Sequence, residues 1–312
     1  MRVQSRLLIA GALIVAPMIG SGPAYGQRPE RIVYQADTSA YTVRPDGTGV
    51  RELRSNAHEP VWSPDGARIM FSEFWDMGGI WSMRSDGSDV RLIVDPSNPG
   101  FGDRRPYEAN GGTWSPDGRT VAFVATMPGD RDDSFNEIWS IRVDGGGLRR
   151  LARGSSPDWS PDGRWIAFTV DGPRNRSSNR VALMTPNGSR ARMLLSNDAG
   201  YRHSLDFSPD GRRLAFVELG YETNLRTIDI RSGKTTRIPQ RRTERVFAAT
   251  WAPDGKRIAF VHHKVVFDPD PRFVGSQAVS TIRPGGRDLR RVFTLPRAGP
   301  RSIEWLSWRP RR

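Results

Sequence analysis

The chain has 312 residues, a formal charge of +13, no cysteine and only three lysines, at 234, 256 and 264. The missing cysteines exclude disulfides, thiol chemistry and a lipid-modified cysteine. The positive charge alone would suit nucleic acid or an anionic surface. Because it is almost all arginine, it reads instead as a compositional bias. No basic groove lined by aromatics accompanies it, so nucleic acid is not the expected partner.

Residues 1–26 read as a secretory leader. Arg2 and Arg6 give a charged start, residues 7–16 an apolar run, and Ala24-Tyr25-Gly26 a small-x-small cleavage site. The apolar run is short for a membrane span, and Pro17 interrupts it. The expected organisation is a leader at 1–26 and one domain at 27–312, periplasmic or secreted.

Next come strand-like residues 31–34 and 39–53, with Pro45-Asp46-Gly47 at a turn. Then a ten-residue phrase appears five times. It reads WSPDGARIMF from Trp62, WSPDGRTVAF from Trp114, WSPDGRWIAF from Trp159, FSPDGRRLAF from Phe207 and WAPDGKRIAF from Trp251. A remnant, WRP, begins at Trp308. Spacings of 52, 45, 48, 44 and 57 residues mark one structural unit repeated around an array.

Each phrase reads as strand, Pro-Asp-Gly turn, strand. A third strand follows, such as residues 80–83 or 138–141. A Gly-containing turn and an arginine-bearing fourth strand come after it. Four short antiparallel strands per period describe an all-β propeller. The N-terminal strands lack a first strand, and residues 305–308 supply one. Joined, they complete a sixth blade and leave no open edge. The expected fold is a six-bladed β-propeller of four-stranded blades, closed by both termini.

The WSPDGxxIAF phrase resembles the repeat of TolB-type propellers, over residues 30–310. That resemblance implies an envelope protein partner. In that family an α/β domain precedes the propeller. Here about 30 residues precede the first strand, so a propeller alone is expected.

In a propeller the two-to-three loops and the interblade links share one face. Here those segments are long and irregular, at 95–112, 126–137, 170–180, 196–204 and 262–276, which marks the working face. Acids and bases nearly balance there. The excess arginine flanks the outer hairpins, as at Arg44 and Arg51, Arg84 and Arg91, Arg142 and Arg149, and Arg283 and Arg290. Edge protection is one reading of that belt. Peripheral contact with an anionic surface is the other.

Four residues before each repeat aromatic stand His58, Asn110, Ser155, His203, Phe247 and Glu304. This position opens onto the channel mouth. His58, Glu59, Asn110, His203 and Glu304 are therefore the candidate binding residues there. His58 and His203 belong to opposite blades, too far apart to share one metal ion at about 2 Å. His58, Glu59 and Glu304 are the better neighbours. His262 and His263 are adjacent on a strand and point to opposite faces. Asp130, Asp132 and Asp133 lack the glycine and the glutamate of a calcium loop. Off-register Phe74, Trp75, Phe101 and Tyr107 are candidate loop anchors for a protein or sugar. The repeat aromatics themselves belong between blades.

No nucleophile elbow, phosphate loop or dinucleotide fingerprint is present. The expectation is a noncatalytic, cofactor-free, monomeric module for an envelope protein or glycan. The alternative is a sugar- or lactone-acting lyase or hydrolase with a channel-mouth site.

Overall fold

The computed structural model describes residues 30–73, 78–103, 105–129, 134–171, 179–196, 200–220, 223–239, 244–264, 277–294 and 303–310. Residues 1–26, read above as a leader, and Phe74, Trp75, Asp130, Asp132 and Asp133 lie outside them. Among the described residues, no helix is long and apolar enough to cross a membrane.

Strands β1 (Ile32–Ala36), β2 (Ser39–Val43) and β3 (Arg51–Ser55) open the fold. The first full blade holds β4 (His58–Trp62), β5 (Arg68–Glu73), β6 (Gly79–Arg84) and β7 (Arg91–Val94). The second holds β8 (Glu108–Trp114), β9 (Thr120–Pro128), β10 (Ser134–Arg142) and β11 (Arg149–Arg153). The third holds β12 (Ser155–Trp159), β13 (Ile166–Asp171), β14 (Asn179–Met184) and β15 (Arg192–Leu195). The fourth holds β16 (Tyr201–Phe207), β17 (Arg213–Leu219), β18 (Thr223–Asp229) and β19 (Thr235–Arg237). The fifth holds β20 (Glu244–Trp251), β21 (Ile258–Lys264), β22 (Gln277–Ile282) and β23 (Arg290–Thr294). Strand β24 (Ile303–Trp308) completes the sixth.

Six four-stranded antiparallel sheets result, and the sixth has the order β24-β1-β2-β3. Its closing register pairs Ile32 with Trp308 and Tyr34 with Leu306. The termini therefore share one blade, as the sequence requires. Innermost strands β4, β8, β12, β16, β20 and β24 touch in a closed circle.

The repeat phrase builds its own turn. Ser63 Oγ donates to Asp65 Oδ1 at 2.7 Å and accepts the Arg68 N–H at 2.9 Å. Ser115 with Asp117, Ser160 with Asp162 and Ser208 with Asp210 repeat this bond. The turn glycine must adopt positive φ, as at Gly66 (60°) and Gly118 (68°). In the fifth blade Ala252 replaces the serine. The backbone bond from Gly255 to Ala252 keeps the turn closed.

Six apolar clusters fill the six seams. Trp62 packs with Val33 and Ala40 of the sixth blade. Trp114 packs with Met70 and Ile80 of the first, and Phe207 with Ala167 and Leu183 of the third. Burying such a ring stabilises mainly through the apolar area removed from water. Among the described residues, the indole N–H groups of Trp62, Trp159, Trp251 and Trp308 find no hydrogen-bond partner. Trp114 alone of the repeat indoles has an acceptor among them, the Val61 carbonyl at 3.4 Å, so phenylalanine at position 207 gives up little.

One expected loop is strand instead. Residues 126–128 and 134–137 extend the second blade's central hairpin, with Ser134 opposite Pro128 and Asn136 opposite Thr126.

Candidate functional site

The inner strands enclose a central cavity of about 450 Å³. Its wall includes Glu59, Asn110, Asp158, Tyr201, His203 and Asp206.

A β-bulge shapes the mouth. In blades one to four the register of the inner strand slips between the fourth and first residues before the aromatic. The third residue before it turns left-handed: Glu59 at φ 50°, Gly111 at 56°, Ser156 at 52° and Ser204 at 54°. Three of these are not glycine, at a cost of about 1 kcal/mol or more each. Bulges re-aim side chains beside functional sites, and here they bind blade to blade. The Glu59 N–H donates to Gln35 Oε1 at 2.9 Å, and Glu59 Oε2 accepts the Gly111 N–H at 2.6 Å. Burial pushes the Glu59 carboxyl up to about 7, against the pull of that hydrogen bond.

His58, Glu59 and Glu304 do meet, through Gln35. Gln35 Nε2 lies 3.1 Å from His58 Nδ1 and donates to Glu304 Oε2 at 3.0 Å. His58 is 8% exposed, and burial lowers its pKa while Glu304 opposes the shift. His58 and Glu304 do not line the cavity, whereas Glu59, Asn110 and His203 do. Asn110 donates to Glu108 Oε1 at 3.0 Å. His203 sits across the ring in the fourth blade, and burial lowers it to about 4. It is a neutral imidazole at neutral pH, with the Tyr201 ring 6.3 Å away.

The loop aromatics divide. Tyr107 is 61% exposed. Phe101 is 6% exposed and packs edge-on against Trp139 at 4.9 Å and Phe123 at 6.3 Å. The expectation of an exposed Phe101 anchor is corrected: the short 3-10 turn Pro99–Phe101 drives its ring into the seam. His262 and His263 point apart as expected. His262 is buried between Glu244 and Ser280, and the His263 ring lies 4.6 Å from Phe247.

Sequence reasoning missed the throat. The residue immediately before each aromatic reads Val61, Thr113, Asp158, Asp206, Thr250 and Ser307. Five of the six carry hydroxyl or carboxyl groups. Asp158 Oδ2 accepts the Phe207 N–H at 2.7 Å, and Asp206 Oδ2 accepts the Trp251 N–H at 2.5 Å. Ser307 Oγ accepts the Trp62 N–H at 3.4 Å, and Thr113 donates to Asp158 Oδ1 at 3.2 Å. Asp158, Asp206, Ser307 and Thr113 therefore each latch the next blade, while Thr250 bonds back to Asp206. Burial pushes both aspartates above the usual carboxylate range, and for Asp206 the Asp158 charge adds to it. Reading this register down the repeats would have found the set.

The outer arginines are largely committed. Asp89 holds Arg68, Arg84 and Arg91 at 2.9, 3.1 and 2.9 Å. Asp288 repeats the clamp with Arg257, Arg283 and Arg290. Arg51, Arg149 and Arg192 reach across seams to the carbonyls of Asp86, Pro186 and Ile230. The belt thus ties hairpins within and between blades, a use beyond edge protection.

No protein-family model matches the sequence. A 99-residue stretch is 29% identical to the Tol-Pal system protein TolB of Anaeromyxobacter dehalogenans, covering 31% of this chain and 19% of that one. TolB from Acinetobacter baumannii superposes with a TM-score of 0.70 at 18% identity, over 90% of this chain and 66% of its own. The fold is that of the TolB-type propellers. A putative TolB from Agrobacterium tumefaciens gives a TM-score of 0.64 at 19% identity, over 86% and 90% of the two chains. An oligogalacturonate lyase in complex with manganese is more distant, at 0.55 and 13% identity over 81% and 70%. The likeness in fold thus spans 90% of this chain, while the matched sequence covers 19% of the curated relative.

Proposed function

We propose that this chain is an exported, noncatalytic interaction module of the cell envelope. It grips a protein or glycan partner at the channel-mouth face and works as a monomer in the periplasm or outside. Residues 1–26 are then a leader removed on export. One observation carries the reading. The cavity carboxylates Glu59, Asp158 and Asp206 each accept a backbone N–H of the following blade. Their acceptor oxygens hold the ring together and are not presented to a substrate. The likeness to TolB-type propellers supports an envelope protein as the partner.

The test is crosslinking to an envelope fraction with the unaltered chain and with Tyr107→Ala. A partner captured by the first and lost or weakened with the second supports the reading. No specific capture, or equal capture by both, overturns it.

A second reading, an enzyme acting on a polyuronate or lactone, draws on Glu59, whose pKa of about 7 suits a proton donor. Glu59→Gln keeps an acceptor for the Gly111 N–H. Turnover present in the unaltered chain and abolished in this variant would reverse the ranking.

A further inference from the structure

The seams differ at the face opposite the channel mouth, where the repeat turns lie. In the seam between the sixth and first blades, Arg309 takes the place of the turn serine. It is 6% exposed. Its guanidinium stands 4.8 Å above the Trp62 ring, and its Nε donates to the Gly66 carbonyl at 3.0 Å, joined by Nη2. A Cβ added at Gly66 would lie 2.8 Å from Arg309 Nε. In the seam between the fourth and fifth blades Arg213 stands 5.6 Å from the Trp251 ring and lines, without filling, a cleft of about 340 Å³.

The seam between the first and second blades has the same parts in a different state. Trp114 and Gly118 repeat Trp62 and Gly66, while Ser63 stands where Arg309 would be. A cleft of about 380 Å³ lies there, walled by Ser63, Asp65, Arg68, Trp114, Asp117 and Gly118, among others. Among the described residues, nothing comes within 4 Å of a Cβ built at Gly118. Arg68 does not fill the space, because its guanidinium bonds Ser82 and Asp89 on the neighbouring strands. No described arginine stands over the Trp114 ring.

We propose that this cleft binds a guanidinium group, in the manner in which Arg309 occupies the closing seam. The aromatic ring supplies the cation–π face and the turn carbonyl an acceptor. Asp65 and Asp117, both exposed at the rim, add negative charge. Asp117 stays ionised because the Ser115 hydroxyl and the Arg119 N–H bond its carboxylate. Guanidinium is favoured over ammonium because it is planar, stacks on rings and is weakly hydrated. The site lies away from the channel mouth and does not depend on the reading given to it above.

The test uses the full chain carrying 5-fluorotryptophan, with the Trp114 resonance assigned by Trp114→Phe. N-acetyl-arginine amide should move that resonance saturably. N-acetyl-citrulline amide, the uncharged isostere, should not, and the lysine counterpart should act more weakly. An unmoved Trp114 resonance, or an equal response to citrulline, overturns the proposal. Free arginine and the blocked tripeptide Gly-Arg-Gly separate a small-molecule source from a polypeptide, whichever binds more tightly. Ser63→Arg should refill the cleft from within and abolish the response, with melting confirming that the ring is folded. A response that survives in folded Ser63→Arg also counts against the site. Should this variant fail to fold, the citrulline comparison on the unaltered chain still decides.

Discussion

The throat aspartates and the outer-hairpin aspartates are the same residue put to opposite use. Asp158 and Asp206 face a cavity, sit beside each other in charge and are pushed toward the protonated form. Asp89 and Asp288 are each surrounded by three arginines and are held firmly ionised. Both pairs are clamps. The throat clamps blade to blade with neutral-capable hydrogen bonds, whereas the hairpin clamps strands within a blade with screened ion pairs. Solvation and partner, not residue type, set which kind results.

The limit on either clamp is the ring itself, so the largest effect should come from its seams. Trp62→Ala removes a buried ring from a seam and is expected to cost about 3–5 kcal/mol by denaturant unfolding. Any comparison of clamps is meaningful only in chains that keep these rings. Next is Asp206→Ala, assayed at pH 5 so that charge repulsion in the throat is small. It leaves the Trp251 N–H buried without its acceptor, at a cost of roughly 1–3 kcal/mol. Trp159→Phe removes a donor that has no partner among the described residues and should cost less than about 1.5 kcal/mol. A larger loss would show that the indole N–H has a structural role. Asp89→Ala should change stability least, and its effect should vanish in concentrated salt, because its pairs are largely solvent-facing.

The pH profiles sharpen the contrast, because the signs are opposite. A carboxyl whose folded pKa is raised stabilises the fold below its unfolded value near 4. That stability is lost as pH rises through the folded value. The throat should therefore weaken from about pH 4 into the neutral range. Asp206→Asn should gain stability relative to the unaltered chain as pH rises from about 5 to about 8. Taking the difference cancels His58, His203 and His263, whose lowered pKa values cost stability below about 6.5. The hairpin carboxylates contribute above about pH 4 and lose that contribution as pH falls further. Asp89→Ala should match the unaltered chain most closely in acid. If both variants track the unaltered chain at every pH, the two clamps are not electrostatically different.

Particular residues show what could be read in advance. The Pro-Asp-Gly turns, their period and the split blade were legible because turn chemistry and strand alternation are local. At the register four residues before each aromatic, Asn110, Ser155 and His203 line the cavity while His58 and Glu304 do not; His58, Glu59 and Glu304 nevertheless meet, through Gln35. That hub was not legible, because it lies in the closing blade, which carries no repeat phrase to align it. Phe101 read as a loop aromatic because sequence does not show which way a short turn aims its ring. The arginines read as a surface belt because their partners are carbonyls and aspartates of other strands or of the next blade.

The sequence by itself determined the six-fold repeat, the turn geometry and the shared last blade. These follow from steric preferences of neighbouring residues and from the rule that sheet edges must be covered. Only the tertiary structure decided which aspartates are pushed toward the protonated form, which seam an arginine fills and which seams keep a cleft. Those properties depend on atoms that approach only when consecutive blades pack, and on the water that packing removes.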